Sequence, residues 1–259
     1  MITLARRGAM ALVPVLLVAA CSDTGTAPVS QLDQQVNLDV ATYVTDMTAD
    51  DMSMMNLSAG FFLGAPEASP PYGFGDLTIS RQVTFYGISE NEQDYFSRDT
   101  TEAIHFVFHM EGSHARSGDY GTVDVTVLRD RDMWLSNLWG EETERIWNGT
   151  GSSGKTRSRH SDENGDRTYD MSSSSVVDSV IVPAPRTWDS WPLSGTITRE
   201  VHVTIVDDLG ETTTTDRVVV ITFNGTQFVT MTVNGEEFEL DLGRWGCHRK
   251  GDRHDGHNG

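Results

Sequence analysis

Val218-Val219-Val220-Ile221-Thr222-Phe223, then Asn224-Gly225, then Thr226-Gln227-Phe228-Val229-Thr230-Met231-Thr232-Val233, then Asn234-Gly235, then Glu236-Glu237-Phe238-Glu239-Leu240-Asp241-Leu242: three apolar runs are divided by two Asn-Gly pairs. A type I′ turn needs positive φ at both central residues, which Asn and Gly tolerate, so each pair predicts a two-residue hairpin. Counting from the turns sets Val233 opposite Glu236, Met231 opposite Phe238 and Val229 opposite Leu240, with Val220 opposite Val229 and Val218 opposite Met231 in the first hairpin. One face then stacks Val218, Val220, Val229, Met231, Phe238 and Leu240, and a one-residue slip would destroy it.

Upstream, Ile197, Val201, Val203 and Ile205 alternate with Thr196, Thr198, His202 and Thr204, the period-two pattern of a half-buried strand. Asp207-Asp208-Leu209-Gly210 turns this strand into the next. Further alternations occur at Ile79, Val83 and Phe85, at Ile104, Phe106, Phe108 and Met110, and at Val123, Val125 and Val127. Residues 144–159 and 167–182 read as long polar strands around Asp162-Glu163-Asn164-Gly165, partly covered by core, while 131–147 fits either a short helix or another hairpin. The count is eight to ten strands with no βαβ spacing, so a doubly wound sheet is not expected.

The helical signal is confined to about Leu32–Leu57, where Val36, Val40, Val44 and Met47 recur at three- and four-residue intervals beside Tyr43. Asp46, Asp50 and Asp51 would face outward, and the methionines would pack as core. The expected architecture is mostly β: an antiparallel meander forming a barrel or a half-open sheet, with one N-terminal helix packed on it.

Net charge of −19 and a pI near 4.6 argue against nucleic acid, which needs clustered Lys and Arg, and against adhesion to anionic lipid by charge alone. Arg6 and Arg7, the apolar run Ala9–Val18 and the small residues that follow have the order of an export signal. That run is shorter than the roughly 20 residues a membrane span needs. Val18-Ala19-Ala20-Cys21 resembles the lipobox of bacterial lipoproteins. The resemblance implies cleavage before Cys21, acylation of its sulfur, and, with Ser22 next, the outer membrane; it covers the signal alone. A secreted form with a Cys21–Cys247 disulfide is the alternative.

The expected layout is a signal at 1–20, an acylated Cys21 with a flexible tether at 21–31, a helix and Gly/Pro-rich linker at 32–75, a β domain at 76–243 and a Gly/His-rich disordered tail at 244–259.

Gly149-Thr150-Gly151-Ser152-Ser153-Gly154-Lys155-Thr156 matches the phosphate-loop pattern letter for letter. That chemistry needs a strand before it and a helix after it, and no helical face follows Thr156, so no nucleotide is expected. His105 and His109 share one face of a strand but lie about 13 Å apart at strand rise, too far to ligate one metal. In the tail Cys247, His248, His254 and His257 hold metal-ligand chemistry without a scaffold, and Arg244, Arg249, Lys250 and Arg253 repel a cation. No cofactor or catalytic residue emerges. An amphipathic indole fills cores but also lines ligand grooves and interfaces, so Trp134, Trp139, Trp188 and Trp191 are the candidate ligand or partner residues.

Two function classes remain. One is a lipid-anchored envelope protein of structural or interaction type. The other is a carrier for an apolar ligand inside a barrel or half-barrel, whose cavity would be lined by Val123, Val125 and Val127 or by Val218, Val220 and Met231. In layout, the second is similar to small-ligand barrels and to the carriers that ferry lipoproteins.

Overall fold

The computed structural model describes residues 31–55, 77–118, 121–159, 167–185, 187, 189–207, 209–243 and 246–249. Helix α1 (Gln31–Met55) is followed by β1 (Leu77–Gly87), β2 (Glu92–Gln93), β3 (Thr101–Gly118), β4 (Gly121–Ser136), β5 (Glu144–Arg159) and β6 (Arg167–Pro183). Then come β7 (Ser194–Val206), β8 (Thr212–Thr222), β9 (Phe228–Val233), β10 (Glu236–Asp241) and β11 (Gly246–Arg249). All join one antiparallel sheet in the order β11-β10-β9-β8-β7-β6-β5-β4-β3-β1-β2. The expected meander is present in its open form, since β2 and β11 end the order without pairing to each other. The segment at 131–147 is a hairpin connection, and Gly246–Arg249, read from sequence as tail, pairs with β10.

The two Asn-Gly pairs behave differently. Asn234 and Gly235 both take positive φ, 47° and 84°, and the pairs Val233–Glu236, Met231–Phe238 and Val229–Leu240 form as counted. At Asn224-Gly225 the register is displaced: Val220 faces Thr232, Ile221 faces Met231 and Val219 faces Val233. The displacement is odd, so it exchanges the faces. Val219 and Ile221 are buried and Val218 is 48% exposed, which overturns the expected stack on Val218 and Val220 and the cavity lining Val218/Val220/Met231.

Local and tertiary hydrogen bonds explain the longer loop. Asn224 Oδ1 accepts from the Thr226 amide and hydroxyl at 3.0 and 2.8 Å, its Nδ2 donates to Phe228 O at 3.1 Å, and the Gly225 amide donates to Pro192 O at 2.9 Å. An Asx turn bound to a neighbouring loop replaces the two-residue turn.

Helix α1 crosses the inner face of the sheet. Val36, Val40, Val44 and Met47, the predicted stripe, are at most 2% exposed and join one cluster with Phe106, Met133, Trp147, Ile197, Met231 and Phe238. Beneath the middle of the helix the sheet surface is made of small residues. Ser153, Ser173 and Ser175 are buried, and Tyr43 Oη lies 3.4 Å from both Ser153 O and Ser173 Oγ. The serine-rich pair β5–β6 is therefore covered on its inner face at the centre, while Ser172, Ser174 and Val176 on the other face stay exposed, the partial coverage expected from sequence.

The phosphate-loop lookalike falls here, as backbone of β5. Its glycines answer to packing: a Cβ on Gly149 (φ 155°) would sit 2.3 Å from Asp132 O, and one on Gly151 would sit 2.7 Å from the Arg131 side chain and 2.8 Å from Asp130 O. Its lysine, Lys155, donates to Asp46 at 2.8 Å. At Gly154 the nearest atom to a Cβ is Leu128 Cβ at 3.8 Å. Gly149→Ala should therefore cost at least about 2 kcal/mol in urea unfolding through strain and collision. Gly154→Ala should be neutral or stabilising by up to about 1 kcal/mol, because it restricts only the unfolded chain.

Candidate functional site: a stitched apolar rim and an ionic seat for the helix

Alternation buries not only aliphatic residues but also arginines. In β4, Arg129 and Arg131 share the inward phase of Val127, Met133 and Leu135; in β7, Arg199 lies between Ile197 and Val201; in β8, Arg217 precedes Val219 and Ile221. Each meets a polar group of α1. Arg131 Nε donates to Asp51 Oδ1 at 2.7 Å, and Arg199 Nη2 donates to Asp51 Oδ2. Arg129 pairs with Asp50, while Arg217 donates to Asn37 Oδ1 at 2.7 Å and to Asp33 Oδ1 at 3.0 Å.

Asp51 is 2% exposed, against the expectation that it faces out with Asp46 and Asp50, because the last turn of the helix lies over these arginines. Burial holds Arg199 below the usual arginine range, a shift opposed by Asp51 and reinforced by Arg131. It also pushes Asp50 up, against the pull of Arg129.

The outer face carries three cross-strand His–Asp pairs. His105 Nε2 meets Asp132, His109 Nδ1 meets Asp130, and His202 Nδ1 meets Asp216, each at 2.7 Å. Ser152 Oγ donates to the other oxygen of Asp130 at 3.0 Å. The carboxylate thus stands between serine and imidazole, so His109 is not placed to take the serine proton as an activating base must be. His105 and His109 serve separate carboxylates. Among the described residues no group of three or more His, Cys, Asp or Glu side chains is disposed to hold a metal ion. Cys247 and His248 lie in β11, while His254 and His257 fall outside the described residues, as do Cys21 and Trp188.

The candidate tryptophans among the described residues, Trp134, Trp139 and Trp191, gather toward one end of the sheet. Strand direction alternates in a meander, so the segments at 88–100, 137–143, 184–193, 223–227 and 242–245 share that end. Trp139 (58% exposed), Tyr95 (72%) and Ile88 (53%) project there, with Leu193, Phe228 and half-buried Trp191.

Trp134 lies on the outer face two residues before the same end, its ring stacked on His105 at 4.5 Å and tilted against Tyr86 at 5.1 Å. The neighbouring loops are bonded to one another and to adjacent strands. Trp139 Nε1 donates to Asp99 O at 3.1 Å, Ala184 N to Thr143 O at 2.7 Å, Gly225 N to Pro192 O at 2.9 Å and Leu242 N to Gln227 O at 2.9 Å. At the opposite end the described residues of the β7–β8 connection include Asp207, Glu211 and exposed Leu209.

Sequence reading found the tryptophans but not Ile88, Tyr95, Leu193 or Phe228. Their available signal was apolar side chains inside turn segments that all return to one end of a meander.

No protein-family model matches this chain, and comparisons with curated proteins and with solved structures gave no match.

The hydrogen bond that His109 donates to Asp130 raises the His109 pKa and lowers that of Asp130. In ¹H–¹³C spectra His109 should titrate above the ordinary imidazole value of about 6.5, and Asp130→Asn should abolish the upward shift. The His109 contribution to stability is full below about pH 6.5 and is lost as pH rises through the raised value. That of Asp130 is present above about pH 4 and is lost as pH falls through its lowered value.

Proposed function

We propose that this chain is a lipid-anchored protein of the cell envelope, of structural or protein-interaction type and without catalytic activity, held to the outer membrane through acylated Cys21. The leader, the lipobox-like Val18-Ala19-Ala20-Cys21 and Ser22 support the anchor. The observation that carries the interaction reading is the rim: Ile88, Tyr95, Trp139 and Leu193 stand exposed on loops that hydrogen bonds hold in place. Loops already held in place lose less conformational entropy on association, and Trp and Tyr are enriched among the residues that dominate binding energy in known interfaces. In this structure α1 covers the inner face, where a carrier would keep its cargo, and exposed apolar side chains stand at the rim instead, which makes contact through the rim the primary reading.

Intact-mass analysis of membrane-fraction protein should show a chain starting at Cys21 with an acylated sulfur; a different start or a bare thiol removes the anchor. Separately, the triple variant Ile88→Ser, Tyr95→Ser, Trp139→Ser should change unfolding free energy by no more than about 0.5 kcal/mol per site. It should also abolish cross-linking of a photoreactive side chain at position 193 to its envelope partner. Undiminished cross-linking would show that the rim is not the contact.

A further inference from the structure

Three guanidinium groups, from Arg129, Arg131 and Arg199, converge toward the C-terminal end of α1, where Asp50 and Asp51 pair with them. Two carboxylates are thus shared among three guanidinium groups. Arg131 Nη1 is used by Asp130 O, Ser152 O and Ser153 Oγ, but Arg131 Nη2, Arg129 Nε and both Nε and Nη1 of Arg199 have no hydrogen-bond partner among the described residues. Arg199 is 0% exposed, so water does not reach its side chain from the surface. A buried donor left unmade costs about 1–3 kcal/mol and more when charged, so these guanidinium groups can accept more anionic oxygen than Asp51 supplies.

The helix is also a poor owner of that position. Asp50 and Asp51 lie near its C-terminal end and no basic residue stands in the last turn, so the carbonyl end of the helix dipole opposes both carboxylates. This end of the helix also carries Met47, Met52 and Met55, all buried in the cluster that includes Phe106, Met133 and Val201. Thioether side chains repack at low cost and fit irregular apolar shapes.

We propose that the inner face beneath the last turn of α1 is a binding site for an anionic amphiphile, a carboxylate or phosphate head on an apolar chain. The head replaces the Asp51 carboxylate on Arg131 and Arg199 and engages their remaining N–H donors. The chain enters the methionine-lined space as the turn lifts. Asp51 is then the internal competitor that keeps the site closed, a role separate from the rim and from any lipid on Cys21.

The test is titration of the full mature chain with dodecanoate, dodecanol and inorganic phosphate, read by calorimetry and by amide hydrogen exchange along α1. Dodecanoate should bind at least tenfold more tightly than either control and should speed exchange in Asp50–Met55. Arg199→Met should lower dodecanoate affinity at least tenfold, to the level of dodecanol, whereas Asp51→Asn, which weakens the competitor, should raise it. These two variants move binding in opposite directions, which a general loss of stability does not. If either variant fails to fold, the comparison of ligands on the unaltered chain decides. Equal affinity for dodecanoate and dodecanol, phosphate binding as tight as dodecanoate, or dodecanoate binding that leaves exchange in α1 unchanged overturns the proposal.

Discussion

A single carboxylate, Asp51, bridges Arg131 of β4 and Arg199 of β7, two strands separated by β5 and β6. Because both arginines are nearly inaccessible to water, neither can exchange Asp51 for solvent while the helix is in place. Breaking such a pair by removing one partner typically costs about 3–5 kcal/mol, although the pair itself adds little net stability over an apolar equivalent. Its effect is positional: the end of α1 is directed to one place on a broad sheet whose apolar surface alone would allow several.

The small residues follow from that placement. For the helix to lie close enough for Asp51 to reach Arg131, and for Tyr43 to approach Ser153 and Ser173, β5 and β6 must present little side-chain volume below it. Gly149, Gly151, Ser153, Ser173 and Ser175 meet that requirement. The resulting run in β5 imitates a phosphate loop by letter, but the glycines make room for Arg131 and Met133, and Lys155 reaches a helix aspartate. Ion pairs, small-residue floor and helix position form one constraint, and with the inner face so occupied the exposed apolar residues that remain grouped are those at the loop end.

The two faces and two ends of the sheet thus have different chemistry. The inner face is apolar around a charged centre, the outer face carries hydroxyls and His–Asp pairs, and one end carries the bonded aromatic rim while Asp207 and Glu211 lie at the other. An open antiparallel sheet permits this division because alternation assigns faces and the meander assigns ends.

Much of this was written locally in the chain. Period-two alternation identified strands such as 197–205, the polar run before Asp162-Glu163-Asn164-Gly165 was read as the strand 144–159, the spacing of Val36, Val40, Val44 and Met47 identified the buried stripe of the helix, and Asn234-Gly235 set the β9–β10 register, since positive φ at both residues is a property of the dipeptide itself. The apparently equivalent Asn224-Gly225 was decided by tertiary structure, because the Gly225 amide bonds to Pro192 thirty-odd residues earlier in the chain and lengthens the loop. Alternation at Ile197, Val201, Val203 and Ile205 left a gap at position 199; that an arginine fills it facing inward depends on Asp51, 148 positions away, and no local rule of hydrophobicity reports a partner at that distance. The rim was likewise visible only as scattered apolar residues in turns, since what joins them is the folding of five connections onto one end of the sheet.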